Sequence, residues 1–442
     1  MSVTEPRVDT VIDAIQEALV DAANRGLSDR WDDLEREAFA HDVATRHVND
    51  RARRTIEHGE APLTAVAESE LIGRALAAYF GAGKFQVLLD LDEVTDIHVN
   101  RYDAIFLRYV NSDRFVRFEQ HLFGSDTELR DEVARLARRS GSGERQFNDA
   151  RPLLVLRLPD GCRLAAVMHV SPFVQVAIRR NLLPVNLTFD ELVVLQMIDL
   201  AIARFLRACV AAFMRIVFVG ATGAGKTTML RACVNDTATD TRYVVIEDTK
   251  ELDIGKNPAR TDYVCEWETR EANTEEKGAI SMRELLEHSL RFDPDWLMIG
   301  EFRNGDAARE ALLAMQNGHP SLSTLHCDSA ANAPAKLAQL LGQGHERFEY
   351  ETASRLVAST VDFFVHVGFR AGRRVVTEVV EVRGFGEGDN VGMNHVFVPD
   401  ASGRGVPNAG GAGRITDGRL NRLVEHGFDL NLMSNPHGWW TS

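Results

Sequence analysis

The stretch Gly220-Ala221-Thr222-Gly223-Ala224-Gly225-Lys226-Thr227-Thr228 carries residue types that bind polyphosphate, at the spacing such binding needs. Its glycines let a short loop turn backbone N–H groups toward an anion. The lysine ammonium at 226 reaches the β- and γ-phosphates, and the Thr227 hydroxyl is placed to bind Mg²⁺. RIVFVG (215–220) before the loop reads as an apolar strand, and TTMLRACV (227–234) after it reads as a helix. That helix adds the positive end of its dipole to the anion site. The expected ligands are therefore ATP and Mg²⁺. GAGK at 81–84 has neither a preceding strand nor the full spacing, and is set aside.

Three further strands end in residues suited to phosphate chemistry. TRYVVIEDTKEL (241–252) is a strand ending in Glu247-Asp248, with Glu251 nearby. In parallel α/β sheets chemistry gathers at the carboxyl ends of strands, where a carboxylate can orient the attacking water or hold Mg²⁺ through water. DPDWLMIGEFR (293–303) ends its strand in Glu301, with Gly300 where most such segments carry an aspartate. Glu301 is thus a second candidate for water activation and, through water, for Mg²⁺; Glu247 is favoured as the base. GHPSLSTLH (318–326) ends in His326, placed to touch the γ-phosphate or its neighbouring carboxylates. His319 reads as a turn residue ahead of Pro320, and Ser281 with Glu284 reads as a capping box that opens a helix.

The elements around these residues divide the chain. Val8, Val11, Ile12, Ile15, Leu19 and Ala22 recur at helical spacing, with Gly26 as the stop, within a helical extension over 1–60. An α+β domain follows over 61–180, with strands at 94–100 and 104–110, an amphipathic helix at 125–141, and a hairpin about Pro159-Asp160-Gly161. A linker containing Pro184 spans 181–195, and alternating helices and strands over 196–370 mark a mostly parallel α/β domain. The remainder, 371–442, is strand-rich, then glycine-rich, with a late helix at 419–428.

Composition narrows the function classes. Hydrophobic content of 45% and charged content of 26% are those of a globular chain. A net charge of −15 argues against broad binding to nucleic acid, which needs a basic surface. Five scattered cysteines, Cys162, Cys209, Cys233, Cys265 and Cys327, form no disulfide framework and read as reduced thiols. The first 25 residues lack an apolar signal-like run, and Arg207 and Arg215 interrupt the most apolar stretch. A cytoplasmic protein without a membrane span is expected.

In combination these residues resemble one family, the secretion and pilus-assembly ATPases of the type II/type IV superfamily, and within it the tight-adherence (Flp-type) pilus branch. The resemblance rests on GATGAGKTT (220–228), IEDTKEL (246–252), RELLEHSLRFDPDWLMIGEFR (283–303) and GHPSLSTLH (318–326), and extends to VTDIHVN (94–100), RLPDGCRLAAV (157–167) and VAIRR (176–180). It implies a RecA-like P-loop domain, a homohexameric ring, and ATP held between the N-terminal and C-terminal domains. By position it assigns Arg163 and Arg179 to reach the phosphates; such an arginine is worth about 10³- to 10⁵-fold in rate. It further implies recruitment to the inner face of the membrane by a platform protein. Phe302 and Cys327-Asp328 depart from the family pattern and bear on the branch. A conjugative or type IV secretion ATPase shares the same chemistry. A RecA-like nucleic-acid motor is disfavoured by the acidic balance, and a nucleotide-binding scaffold without turnover by the presence of every expected catalytic group.

Overall fold

The computed structural model describes residues 8–440, apart from 29–30, 32, 60, 111, 113, 140–145, 181, 183–185, 271–276, 387–390 and 409–414. Part of the linker reading and parts of both glycine-rich stretches lie outside the described residues. The chain forms two compact units, dividing between Leu182 and Leu183. Among the described residues no helix is long and apolar enough to cross a membrane.

The first unit begins with helices α1 (Val8–Asn24), α2 (Asp33–Glu57) and α3 (Ala65–Phe80). Gly26, at φ 67°, follows α1. The apolar stripe read over 8–22 buries Val11 and Ile15 against Ala44 and Val48 of α2 and Leu71 and Ala75 of α3. The helical region read over 1–60 is thus joined by α3, which Thr64 caps by accepting from the Ala67 N–H at 3.3 Å. The GAGK residues form the end of α3 and a tight turn before α4 (Gln86–Leu89); Lys84 there pairs with Glu128, so no phosphate loop forms.

An antiparallel sheet follows, built from β1 (Val94–Arg101), β2 (Ala104–Tyr109), β3 (Val116–Phe118), β4 (Leu153–Arg157), β5 (Arg163–Val167) and β6 (Gln175–Arg179) in the order β3-β2-β1-β6-β5-β4. α5 (Asp126–Arg139) packs on it through Leu129, Val133 and Leu136. Aspartate and glutamate in its first turn suit the helix dipole. Gly161, at φ 92°, makes the turn between β4 and β5.

The second unit is wound around one sheet. After α6 (Phe189–Val194) and α7 (Leu200–Ala211) come β7 (Ile216–Val219), α8 (Lys226–Asn235), β8 (Tyr243–Glu247), β9 (Val264–Glu268), α9 (Met282–Ser289), β10 (Trp296–Ile299), α10 (Gly305–Gln316), β11 (Ser321–Leu325), α11 (Ala333–Leu341) and α12 (Tyr350–Thr360). β12 (Phe363–Arg370), β13 (Arg373–Phe385), β14 (Val391–Pro399), β15 (Gly405–Pro407) and α13 (Asp417–Glu425) complete it. Strand order is β15-β14-β13-β12-β7-β11-β10-β8-β9, parallel from β12 to β9 and antiparallel from β12 to β15. The region read as a C-terminal subdomain over 371–442 therefore continues the same sheet.

Both faces of the sheet are covered, which is why β7, β8 and β10 are nearly unbroken apolar runs. Ile216 and Phe218 of β7 face a core shared with α7, α8 and α13. Val217 and Val219 face a second core shared with α9, α10, α11 and α12. α9 opens with the expected Ser281–Glu284 capping box, and α6 with another made by Thr188 and Glu191.

β7 is pinned beside β12 by charge. The Asp362 carboxylate, 3% exposed, accepts from the Arg215 N–H at 2.8 Å and from the guanidinium groups of Arg215 and Arg419, each at 3.0 Å. Burial raises the Asp362 pKa, but the two arginines outweigh it and hold the group below the usual carboxylate range. Removing one partner of such a buried set costs about 3–5 kcal/mol, because the others stay buried and unpaired. Asp362→Ala is accordingly expected to lose stability on that scale in urea denaturation; a loss under about 1 kcal/mol would show that β7 does not depend on this clamp.

Candidate active site

Strand register brings the site together. Val219 of β7 pairs with Leu325 of β11, and Ile299 of β10 pairs with Ser323 of β11 and Ile246 of β8. The four strands end on one edge of the sheet, so Gly220, His326, Gly300-Glu301 and Glu247 stand side by side there. Cross-links keep the ends level: the Gly300 N–H donates to the Ile246 carbonyl at 2.9 Å, and the Phe302 N–H to the Thr324 carbonyl at 2.9 Å. The Thr324 hydroxyl donates to the Gly300 carbonyl at 2.7 Å.

The 220–225 loop has the backbone its glycines allow, with φ 155° at Gly220, 75° at Gly223 and 106° at Gly225. A Cβ on Gly220 would lie 2.2 Å from the Val367 carbonyl oxygen of β12, so no side chain fits there. Ala224 is buried, Ala221 and Thr222 are exposed, and α8 starts at Lys226, with Thr227 half-buried and Thr228 buried in its first turn. The Lys226 ammonium, 8% exposed, donates to the carbonyls of Gly220 at 3.0 Å and Ala221 at 3.1 Å.

Lys226 Nζ also lies 3.3 Å from His326 Nδ1. An ammonium has no lone pair, so Nδ1 accepts and a neutral ring carries its proton on Nε2. His326 Nε2 in turn lies 2.7 Å from Glu301 Oε1, outside hydrogen-bonding angles. Glu301 Oε2 accepts from Arg303 Nε at 2.8 Å, and Arg303 Nη1 lies 3.6 Å from Asp248 Oδ2. Burial works against the Arg303 charge, yet Glu301 and Asp248 raise its pKa above the usual value. A continuous line of contacts thus runs Lys226–His326–Glu301–Arg303–Asp248.

Glu247 lies beside this line, not in it. Its carboxylate, 4% exposed, accepts from the Glu251 N–H at 3.1 Å and the Leu252 N–H at 3.2 Å. Burial pushes its pKa up to about 8, against the pull of those amides. Arg231 of α8 holds the same turn from behind, donating to the carbonyls of Leu252 at 2.7 Å and Glu251 at 2.6 Å. A Cβ on Gly300 would lie 3.0 Å from Glu247 Cγ and 3.4 Å from its Oε1. A side chain at 300 would therefore crowd the Glu247 side chain.

Of the residues read from sequence, the structure brings together the 220–228 loop, Glu301 and His326, with Glu247 adjacent through Gly300. Arg163 and Arg179 sit opposite each other on β5 and β6 of the first unit, and Arg179 also faces Asp96 of β1. His319 lies in the turn after α10, as expected, with its N–H on the Ala314 carbonyl at 3.2 Å. Phe302 is buried in the core beside α10, so its identity follows packing. Cys327 is half-buried, and burial raises its thiol pKa. Sequence reasoning missed Arg303 and Arg231. The available signals were an arginine two residues beyond Glu301, hence on the same side of an extended chain, and a lone charge within the apolar run MLRACV.

Fit to Mg²⁺ can be judged from the donors. Glu301 Oε1 is buried, makes no hydrogen bond and so keeps the capacity to accept from a metal-bound water. Among the described residues no three His, Cys, Asp or Glu side chains gather to hold a metal alone. The free acceptor on Glu301 suits Mg²⁺, which keeps its waters and takes one or two protein ligands plus phosphate oxygens.

Residues 84–365 match the family model described as type II/IV secretion system protein. The chain belongs to this family. A putative conjugal transfer protein of Mycobacterium tuberculosis is 30% identical over 69% of this chain and 85% of its own length. VirB11 of Agrobacterium fabrum is 30% identical over 64% of this chain and 86% of its own. Among solved structures, the Yersinia pseudotuberculosis ATPase DotB overlaps 69% of this chain and 79% of its own at 19% identity, with a TM-score of 0.45, too loose to carry weight. The phosphate loop, Glu247, Glu301, Arg303 and His326 all fall inside the segment that the secretion-family model matches.

The raised pKa of Glu247 has a consequence for stability. An acid whose pKa is higher folded than unfolded favours the fold while protonated, so its contribution is full below about pH 4.5 and is lost as pH rises toward about 8. Glu247→Gln keeps an acceptor for the two amides and removes the titration. The melting temperature of this variant relative to wild type is expected to climb between pH 5 and pH 9; a difference independent of pH would place the Glu247 carboxylate in water instead.

Proposed function

We propose that this secretion-family protein is an ATP-hydrolysing motor subunit that drives pilus assembly or protein secretion. The observation that carries the reading is the contact of the phosphate-loop lysine with His326 and, through it, with Glu301. Lys226 gives up its loop carbonyls for the β- and γ-phosphates. The Thr227 hydroxyl, with Glu301 through water, would hold Mg²⁺, which supplies charge neutralisation on the phosphate oxygens. Glu301 orients the attacking water, since its Oε1 lies against His326, which touches Lys226, while the carboxylate of Glu247, the base favoured from sequence, accepts from two backbone amides. Glu247 serves as the neighbouring acid that shapes the water site. His326 reports the phosphate to Glu301 because it touches both Lys226 and Glu301.

The wider expectations belong to the same proposal. Arg163 and Arg179 reach the phosphates, subunits close into a homohexamer, and an inner-membrane platform protein recruits the ring to the cytoplasmic face. The tight-adherence pilus branch is the assignment favoured by the motif combination. The names of the relatives, conjugal transfer and VirB11, support a second reading in which the same chemistry serves transfer of DNA or effectors. Net charge of −15 keeps a free nucleic-acid motor a distant third.

Steady-state ATPase assays and nucleotide titrations on two variants test the proposal. Lys226→Ala is expected to lose turnover and to bind ATP more weakly. Glu301→Gln is expected to bind ATP as wild type does while turnover falls at least about 100-fold. Unchanged turnover in the Gln variant would remove Glu301 from the chemistry, and unchanged turnover in the Ala variant would remove the loop.

A further inference from the structure

The terminal phosphate and the base of a nucleotide lie at opposite ends of one chain, and strand order says which end goes where. β11, β10 and β8, with His326, Glu301 and Glu247 at their ends, all lie on one side of β7; β12 and β13 lie on the other. With the hydrolytic groups on the first side, the nucleoside is directed over the second.

That second side carries residues the hydrolytic chemistry leaves unused. The β12–β13 hairpin turns through Ala371 at φ 49° and Gly372 at φ 77°, and its tip from Phe369 to Arg374 is exposed. Arg374 leans from the hairpin onto the phosphate loop, with its Nε donating to the Gly223 carbonyl at 2.8 Å. Its guanidinium carbon also lies 5.2 Å from the centre of the Phe369 ring, and that residue is 47% exposed. From the α6–α7 turn, Met197 Cε comes within 2.7 Å of where a Cβ on Gly225 would stand, and Arg374 Cδ within 3.5 Å. Turn and hairpin are one body here: the Val376 N–H donates to the Met197 carbonyl at 2.8 Å, and Arg373 donates to the side-chain oxygen of Gln196.

We propose that this hairpin and turn form the base subsite of the nucleotide: the Arg374 guanidinium lies over the Phe369 ring, and the purine stacks on this pair, bounded by Met197. An aromatic ring and a guanidinium plane both stack on a base, because each presents a flat, polarisable surface to its π-face. Phe369 is an apolar side chain, packed against Arg374 yet 47% exposed, in an arginine-rich hairpin of an acidic chain, and a stacked base covers its open area. The subsite rests on the reading of 220–228 as a phosphate loop and adds to it a residue that acts on the nucleoside alone.

Calorimetric titration with two ligands separates these layers: the β,γ-imido analogue of ATP, which carries the base, and tripolyphosphate, which does not, each with Mg²⁺. Phe369→Ala is expected to raise the Kd for the ATP analogue at least about fivefold, with the Kd for tripolyphosphate within about twofold of wild type. Phe369→Trp, which keeps a stacking face, is expected to restore the analogue affinity and guards against a folding defect in the first variant. Equal effects of Phe369→Ala on the two ligands, or no effect on either, would overturn the subsite while leaving the phosphate loop in place. Wild-type protein that binds neither ligand would overturn the loop reading and the subsite together.

Discussion

Four parallel strands that end level with one another are the constraint from which the site follows. Val219 beside Leu325, and Ile299 beside both Ser323 and Ile246, leave no freedom in where the next residues emerge. A one-residue slip in any of these pairings would turn the side chains of that strand to the opposite face. The two hydrophobic cores covering the sheet resist such a slip, since each strand buries alternate residues in each of them. Core packing and site geometry are therefore one problem: the buried strands β7, β8, β10 and β11 deliver the polar residues that end them.

Electrostatics then decides how the delivered groups behave. A nearly buried ammonium needs partners, and Lys226 finds them in two carbonyls of its own loop and in His326. These are neutral acceptors, and a phosphate oxygen bearing charge is a stronger one. In the proposed mechanism Lys226, the group that touches His326, exchanges these partners for phosphate oxygens. Glu301 is held on its other side by Arg303, so a change at Lys226 has a physical route through His326 to the carboxylate and onward to Asp248. Glu247 behaves differently. Buried, amide-bound and with a raised pKa, it occupies the volume beside Gly300 and keeps the 251–252 turn in place with Arg231.

Much of this was legible in the sequence because its determinants are local. The phosphate loop announces itself through glycines whose positive φ is required at 223 and 225, and the strands through apolar runs of four to six residues bounded by charged ends. The capping box at Ser281 and the turn at Gly161 are likewise decided within a few residues. The roles of Arg231 and Arg303 were not legible, because each is defined by carbonyls or carboxylates that only the folded sheet brings near. The burial of Glu247 was not legible for a related reason: it depends on the 251–252 turn, whose amides donate to the carboxylate. α3 gave no sign in the sequence that it would join α1 and α2, since its apolar residues suit either neighbour.

The central claim is that Lys226, His326 and Glu301 meet at one terminal phosphate, and the most direct test is a structure with the Mg²⁺-bound β,γ-imido ATP analogue in place. The account predicts that Lys226 Nζ leaves the Gly220 and Ala221 carbonyls for β- and γ-phosphate oxygens, with His326 in contact with the γ-phosphate or Glu301 and with Glu301 bridged to the metal by water. A bound nucleotide with Lys226 still on its loop carbonyls, or with Glu301 beyond the reach of one bridging water, would contradict it.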